Sequence, residues 1–232
     1  MSKTLIFTAT YNEKENIKKL IENLNNLETN LDVLVIDDNS PDKTWEILQE
    51  LEKNLKNLKV IIRNNKSGLD TAHKFAFDYA KKNNYEKFIS MDADLSHDPN
   101  EIPKMIEILE NSSFVIGSRY IKGGKCEMSG YRLVLSIIGN KFIKKILGLN
   151  CNEFTTSYRG FNLSKLKDFN LNIVKSKGYS FFMETIYRLN KHGVIINEIP
   201  IHFKNRRHGS SKIPGIEIFR TLKNLLILYL EK

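Results

Sequence analysis

The chain has 232 residues, 41% of them hydrophobic and 27% charged, which suits one large globular domain with a real core and excludes fibrous or disordered classes. Its two cysteines, Cys126 and Cys151, exclude a disulfide framework and a cysteine metal cluster, and the lack of an apolar run of about 20 residues excludes a complete transmembrane helix. The net charge of +9 is unevenly spread: residues 117–232 hold 21 of the 36 Lys and Arg but 7 of the 27 Asp and Glu, a balance of +14 that leaves residues 1–116 at −5.

That asymmetry points to an anionic partner such as a phosphorylated substrate or an anionic membrane. Nucleic acid is not expected, since no zinc-finger spacing, RNP-like aromatic run or helix-turn-helix occurs. Met1-Ser2-Lys3-Thr4 runs straight into a strand-like segment, so no signal peptide and a reduced, cytoplasmic setting are expected.

In chain order, residues 5–9 read as a strand. Asn12 then reads as the cap of a helix, with Glu15 completing a capping box and Ile17, Leu20, Ile21 and Leu24 forming one face. Residues 33–36 are a continuous apolar run typical of a parallel strand covered on both faces. Ser40 and Pro41 read as N-cap and first residue of the next helix, with Trp45, Leu48 and Leu51 turned inward. Strands at 60–62, 88–91 and 114–117 and a helix over 72–80 extend this to a βαβαβαβαβ series, which predicts a doubly wound parallel sheet.

Ligands of such sheets bind beyond the carboxyl ends of the strands. The polar runs fall there: Tyr11-Asn12-Glu13, Asp37-Asp38-Asn39-Ser40, Arg63, and Met91-Asp92-Ala93-Asp94-Leu95-Ser96-His97. Neither a dinucleotide fingerprint nor a Walker A pattern is present. On an extended backbone Asp92 and Asp94 point the same way and can converge on one hard cation, Mg²⁺ or Mn²⁺, that also bridges to phosphate; taken alone, an Asp-x-Asp pair equally marks a turn or a helix cap.

Beyond Gly117 long loops are expected, then a late strand pair or bent strand over 194–201 and a basic, mobile segment over 204–212. Residues 133–147 and 216–230 are amphipathic helices with basic flanks, able to lie in a membrane interface or to pack on their own domain.

Several strings, taken in order, resemble glycosyltransferase family 2, in its polyprenyl-phosphate (dolichyl-phosphate) mannosyltransferase branch. They are Thr10-Tyr11-Asn12-Glu13, Asp37-Asp38-Asn39-Ser40-Pro41-Asp42, Ser67-Gly68-Leu69, the Asp92-Ala93-Asp94 run, Ile116-Gly117-Ser118-Arg119-Tyr120, Gly178-Tyr179-Ser180-Phe181 with Glu184, and Arg206 with Gly209 and Ser211-Lys212. The resemblance implies an α/β GT-A fold with a mostly parallel, doubly wound sheet and a C-terminal acceptor-side extension. It further implies a catalytic domain over 1–213 and an amphipathic, membrane-proximal helix over 214–232.

It also implies inverting, metal-dependent transfer of mannose from GDP-mannose to a polyprenyl or dolichyl phosphate. Thr10, Tyr11, Glu13, Asp38, Asp42 and Asp92 would serve the nucleotide sugar; Asp92, Asp94 and Ser96 would hold Mg²⁺ or Mn²⁺; Asp94, Arg119, Arg206 and Lys212 would act in the transfer. The enzyme would lie peripherally on the cytoplasmic face of a membrane, by itself or through a small membrane-anchoring subunit. His97 is expected to order the metal loop.

The chain departs from the family pattern at Ala9, at Asp70 and Phe77, and at Glu153, Thr156, Ser157 and Tyr158. Two other readings stay open. One is a family 2 transferase that uses UDP-glucose or another sugar nucleotide and a hydroxyl acceptor, with Glu184 as the candidate base. The other is a non-catalytic nucleotide-binding GT-A module.

Overall fold

The computed structural model describes residues 3–206 and 216–231. The chain runs through β1 (Thr4–Thr10), α1 (Lys14–Asn25), β2 (Leu31–Asp37), α2 (Thr44–Asn54), β3 (Leu58–Ile62), α3 (Leu69–Lys82) and β4 (Lys87–Ser90). It continues with α4 (Ile102–Asn111), β5 (Phe114–Ser118), β6 (Lys125–Cys126), α5 (Gly130–Leu147), β7 (Arg159–Asn162), α6 (Ser180–Lys191), β8 (Asn197–Pro200), β9 (His202–Phe203) and α7 (Ile216–Leu230).

The main sheet has seven strands in the order β3-β2-β1-β4-β7-β5-β8. All neighbours are parallel except at β7, which runs antiparallel to β4 and to β5. Side-chain alternation splits the core into two layers. Leu5, Phe7, Leu34, Ile36 and Phe88 face α3, α5 and α6, while Ile6, Val33, Val35 and Ile89 face α1, α2 and α4.

β7 carries no signal of its own, because Arg159-Gly160-Phe161-Asn162 has no β-branched residue. It belongs in the sheet for a packing reason. A Cβ on Gly160 would stand 2.8 Å from Leu109 and 2.9 Å from Val115, so glycine lets α4 sit tightly over the strand. The late segment is a bent strand: β8 extends the main sheet beside β5, and β9 leaves it to pair with β6 in a second, two-stranded sheet.

Two caps differ from expectation. α1 starts with Glu13 at its N-cap and no side-chain cap, while Asn12 takes a left-handed φ of 57°. α2 starts at Thr44, not beside Ser40. The reason is competition. Buried Asp37 takes the Ser40 hydroxyl at 2.6 Å and its amide at 2.8 Å, which holds Ser40 and Pro41 in a turn. Asp42 serves both helix ends instead, accepting from the Lys14 amide and from the Thr44 amide and hydroxyl. Of the face expected on α2, Leu48 is buried and Trp45 and Leu51 are half-buried.

Candidate active site

The carboxyl ends of β1, β2 and β4 line one edge of the sheet, and the polar loops meet there. Asp37 clamps the first two ends together, since the Thr10 hydroxyl donates to it at 2.7 Å across the strands. Asp38, just beyond, accepts from the Arg63 guanidinium and from the Ser67 amide, and Arg63 continues to Thr71 and the Gly68 carbonyl. Glu13 accepts from the Asn16 side chain, and its amide donates to Thr44 at 3.0 Å. Tyr11 presents its ring under the Lys66 ammonium, 3.9 Å from the centroid. Thr10, Glu13, Asp38 and Asp42 thus build the walls of this edge through bonds to the protein, and Tyr11 offers a half-exposed aromatic face.

Asp92 and Asp94 follow β4 in a bend rather than on extended backbone, and Leu95 within it adopts a φ of 64°. The two carboxylates are therefore not equivalent. The Asp94 side chain is 4% exposed and that of Asp92 35%. Asp94 Oδ1 accepts from the Ser96 amide at 3.1 Å and hydroxyl at 2.5 Å, and Oδ2 accepts from Arg206 Nε at 2.6 Å. Asp92 Oδ1 accepts from the Ser157 hydroxyl at 2.5 Å, while Oδ2 stands 4.0 Å from His97. Ser96, buried, spends its hydroxyl proton on Asp94.

His97 orders this bend as expected. The Asp92 amide donates to Nδ1 at 3.0 Å, so the ring proton sits on Nε2 and points to the Thr156 hydroxyl, 3.1 Å away. The imidazole stacks on Tyr158 and meets the edge of Phe203. Burial lowers its pKa, against the opposing pull of Asp92 and Asp94. A neutral, enclosed imidazole of this kind is a brace and not an acid or base for substrate.

Tyr179, at the N-cap of α6, joins the same site. Burial first, then the charge of Asp92, pushes its phenol up to about 12, with Arg206 opposing and Asp94 adding. Its amide donates to Glu217 of α7 at 3.1 Å.

Arg119 forms a bidentate pair with Glu153, at 2.7 and 2.8 Å, and a further bond to Thr155. Burial opposes its charge, but Glu153 more than offsets that and raises its pKa. Its fork is thus committed to the protein. Glu153, a departure from the family pattern, is the counter-ion, and Ser157, another, holds Asp92. Asp70 accepts from the Gly178 amide, and Phe77 fills the core against Phe88, Phe161 and Phe169.

Glu184 is committed to the protein. Burial pushes its pKa up, but bonds from Ser176, Arg188 and Lys175 win and lower it. Lys212, with Gly209 and Ser211, lies outside the described residues.

Asp92 and Asp94 suit a small divalent cation. Mg²⁺ is commonly held by one or two carboxylates plus substrate phosphates and water rather than by an all-protein cage. No cluster of three or more His, Cys, Asp or Glu suited to a metal occurs among the described residues.

Residues 5–169 match the model of glycosyl transferase family 2. The chain belongs to this family. Among similar sequences is a polyprenol monophosphomannose synthase of Mycolicibacterium smegmatis, 33% identical over 219 residues that cover 93% of this chain and 83% of that protein. A dolichol-phosphate mannosyltransferase of Pyrococcus furiosus is 34% identical over 96% of this chain, which spans 62% of that longer protein. Among solved structures, glucosyl-3-phosphoglycerate synthase of Mycobacterium tuberculosis, in complex with Mn²⁺, UDP and phosphoglyceric acid, superposes with a TM-score of 0.65. The identity is 15%, and the match covers 99% of this chain and 78% of that one. The fold of this glycosyltransferase is GT-A, as expected.

Proposed function

We propose that this family 2 glycosyltransferase moves mannose from GDP-mannose to a polyprenyl or dolichyl phosphate, with inversion at the anomeric carbon. The observation that carries the reading is the meeting of Asp92, Asp94 and Arg206 at the carboxyl edge of the parallel sheet. Two relatives named for mannosyl transfer to polyprenyl or dolichyl phosphate, each similar along more than nine-tenths of this chain, support the choice of sugar and acceptor.

Tyr11 would stack on the nucleobase, and Thr10, Glu13, Asp38 and Asp42 would shape the wall against base and ribose. A divalent cation, Mg²⁺ or Mn²⁺, held by Asp92 and Asp94 would supply Lewis-acid neutralisation of charge on the departing nucleoside diphosphate. Ser96 supports it by holding Asp94. Arg206, with Lys212, would contact phosphate oxygens and position the acceptor. Arg119, already paired, would present only its remaining edge.

A phosphate-monoester nucleophile is anionic near neutral pH and needs no strong base. The commitments of His97 and Glu184 agree with that, and they weigh against a hydroxyl acceptor served by Glu184.

α5 and α7 pack together and leave large apolar side chains exposed, Tyr131, Val134 and Ile138 on one and Phe219, Leu226 and Leu230 on the other. Exposed Arg132, Lys141, Lys145, Arg220 and Lys223 flank them, and the one acid of the two helices, Glu217, is buried. No helix among the described residues is long and apolar enough to cross a membrane. Such a face suits peripheral contact with an anionic membrane, where the lipid acceptor resides, or with a small anchoring subunit. In this reading residues 1–213 are the catalytic domain and 214–232 the membrane-proximal helix; the boundary lies outside the described residues.

The test is transfer of radiolabelled mannose from GDP-mannose to a polyprenyl phosphate in detergent, with Mn²⁺ or Mg²⁺ and an EDTA control. Metal-dependent label in the organic phase is expected. Transfer from UDP-sugars alone would move the donor assignment, and nucleotide binding without turnover on any acceptor would leave a non-catalytic module.

A further inference from the structure

The contact between Arg206 and Asp94 bears on how the cation enters. Asp94 is nearly enclosed, and both its oxygens are taken, Oδ1 by Ser96 and Oδ2 by Arg206. Asp92, by contrast, has a half-buried side chain at the same bend, its Oδ2 4.0 Å from His97 and, among the described residues, without a cation beside it as close as Arg206 is to Asp94. A divalent ion reaching Asp92 therefore finds its second carboxylate already neutralised by a guanidinium.

We infer that Arg206 is the resident counter-ion of Asp94 and competes with the divalent cation for it, so that the nucleoside diphosphate draws the metal in by giving Arg206 another anion. The inference rests on the reading of Asp92 and Asp94 as the metal site. The Arg206 side chain is 28% exposed, so it can swing away while Asp94 stays inside. Leaving Asp94 unpaired in that enclosed position is costly, and metal or guanidinium must replace the other. Diphosphate oxygens offer the guanidinium an equivalent, charge-assisted, bidentate partner. Metal and diphosphate then favour each other through Arg206 as well as by direct contact, and the coupling is reciprocal.

The consequence is an order of loading. Without nucleotide the site holds metal weakly, and Asp94 with Arg206 stays closed; with nucleotide the same aspartate is released to the ion.

The test is Mn²⁺ binding to the full chain, read from the electron paramagnetic resonance signal of free Mn²⁺, with and without GDP and UDP. R206Q is expected to bind Mn²⁺ alone about tenfold more tightly than wild type, about 1.4 kcal/mol, and the enhancement by nucleotide should shrink by a similar factor. K204Q removes the same charge from the same segment, but Lys204 pairs with Asp98 at 2.7 Å, so its Mn²⁺ affinity should move by less than about twofold on the same scale. R206A is read the same way should R206Q fold poorly. An unchanged or weaker affinity in the Arg206 variants, or an equal gain in K204Q, overturns the competition and leaves the metal site standing. Absence of Mn²⁺ binding in every protein, with and without nucleotide, overturns the metal reading and the competition together.

Discussion

Replacing Glu153 by Gln isolates what the buried pair with Arg119 does. Arg119 donates to both carboxylate oxygens, at 2.7 and 2.8 Å, inside a site that leaves the Glu153 side chain fully enclosed. Removing one partner of such a pair leaves an uncompensated buried charge and costs about 3–5 kcal/mol. The amide keeps one acceptor oxygen, so the lower figure applies, about 3 kcal/mol. At about 2–4 °C per kcal/mol for a chain of this size, the melting midpoint should fall by about 6–12 °C.

Urea titrations of wild type and E153Q with equal slopes would give the loss directly. The double variant R119M/E153M removes both charges and should be less destabilised than E153Q alone. The pH dependence has a definite sign. Burial pushes the Glu153 pKa up, but Arg119 wins and lowers it below the ordinary 4.5. The unfolded chain therefore binds the proton first on acidification, so this contribution is present above that pH and is lost as pH falls through the folded value. The gap between wild type and E153Q should accordingly narrow in acid. A loss under about 1 kcal/mol, or a double variant no more stable than E153Q, would refute the assignment of Glu153 as the counter-ion that holds Arg119.

Asp94→Ala should lower turnover on the order of 10²–10³-fold while circular dichroism stays native; near-normal turnover that still requires metal would refute Asp94 as a ligand. His73, enclosed by Phe7, Phe181 and Phe182, is pushed down from 6.5 to about 3, first by burial and then by Arg159. The unfolded chain then binds a proton the native state refuses, so stability should fall with acidity between these values by up to about 1.4 kcal/mol per pH unit. His73→Leu should remove that slope from urea midpoints measured between pH 4 and 6, and an unchanged slope would refute the cause. Phe219→Glu with Leu226→Glu should cut flotation with anionic vesicles about tenfold or more, since each buried aromatic or leucine is worth about 1.5–3 kcal/mol, and should leave the melting midpoint unchanged. Undiminished flotation would place the membrane face elsewhere.

The sequence by itself determined the alternation of strand and helix, the strand over 33–36 covered on both faces, the edge where the polar loops gather, and the aspartates after β4. These are local properties, because side-chain period and turn chemistry act over a few residues and are written in neighbouring letters. Tertiary structure alone decided the rest. It set antiparallel β7 between β4 and β5 because Gly160 lets α4 approach. Asp42 became the cap of two helices because Asp37 had already taken Ser40. Arg119 went to Glu153, and Arg206 to Asp94. Each of these is a choice of partner between residues far apart in the chain, settled by which charges and donors the fold encloses together, and a buried group must take the partner that its enclosure provides.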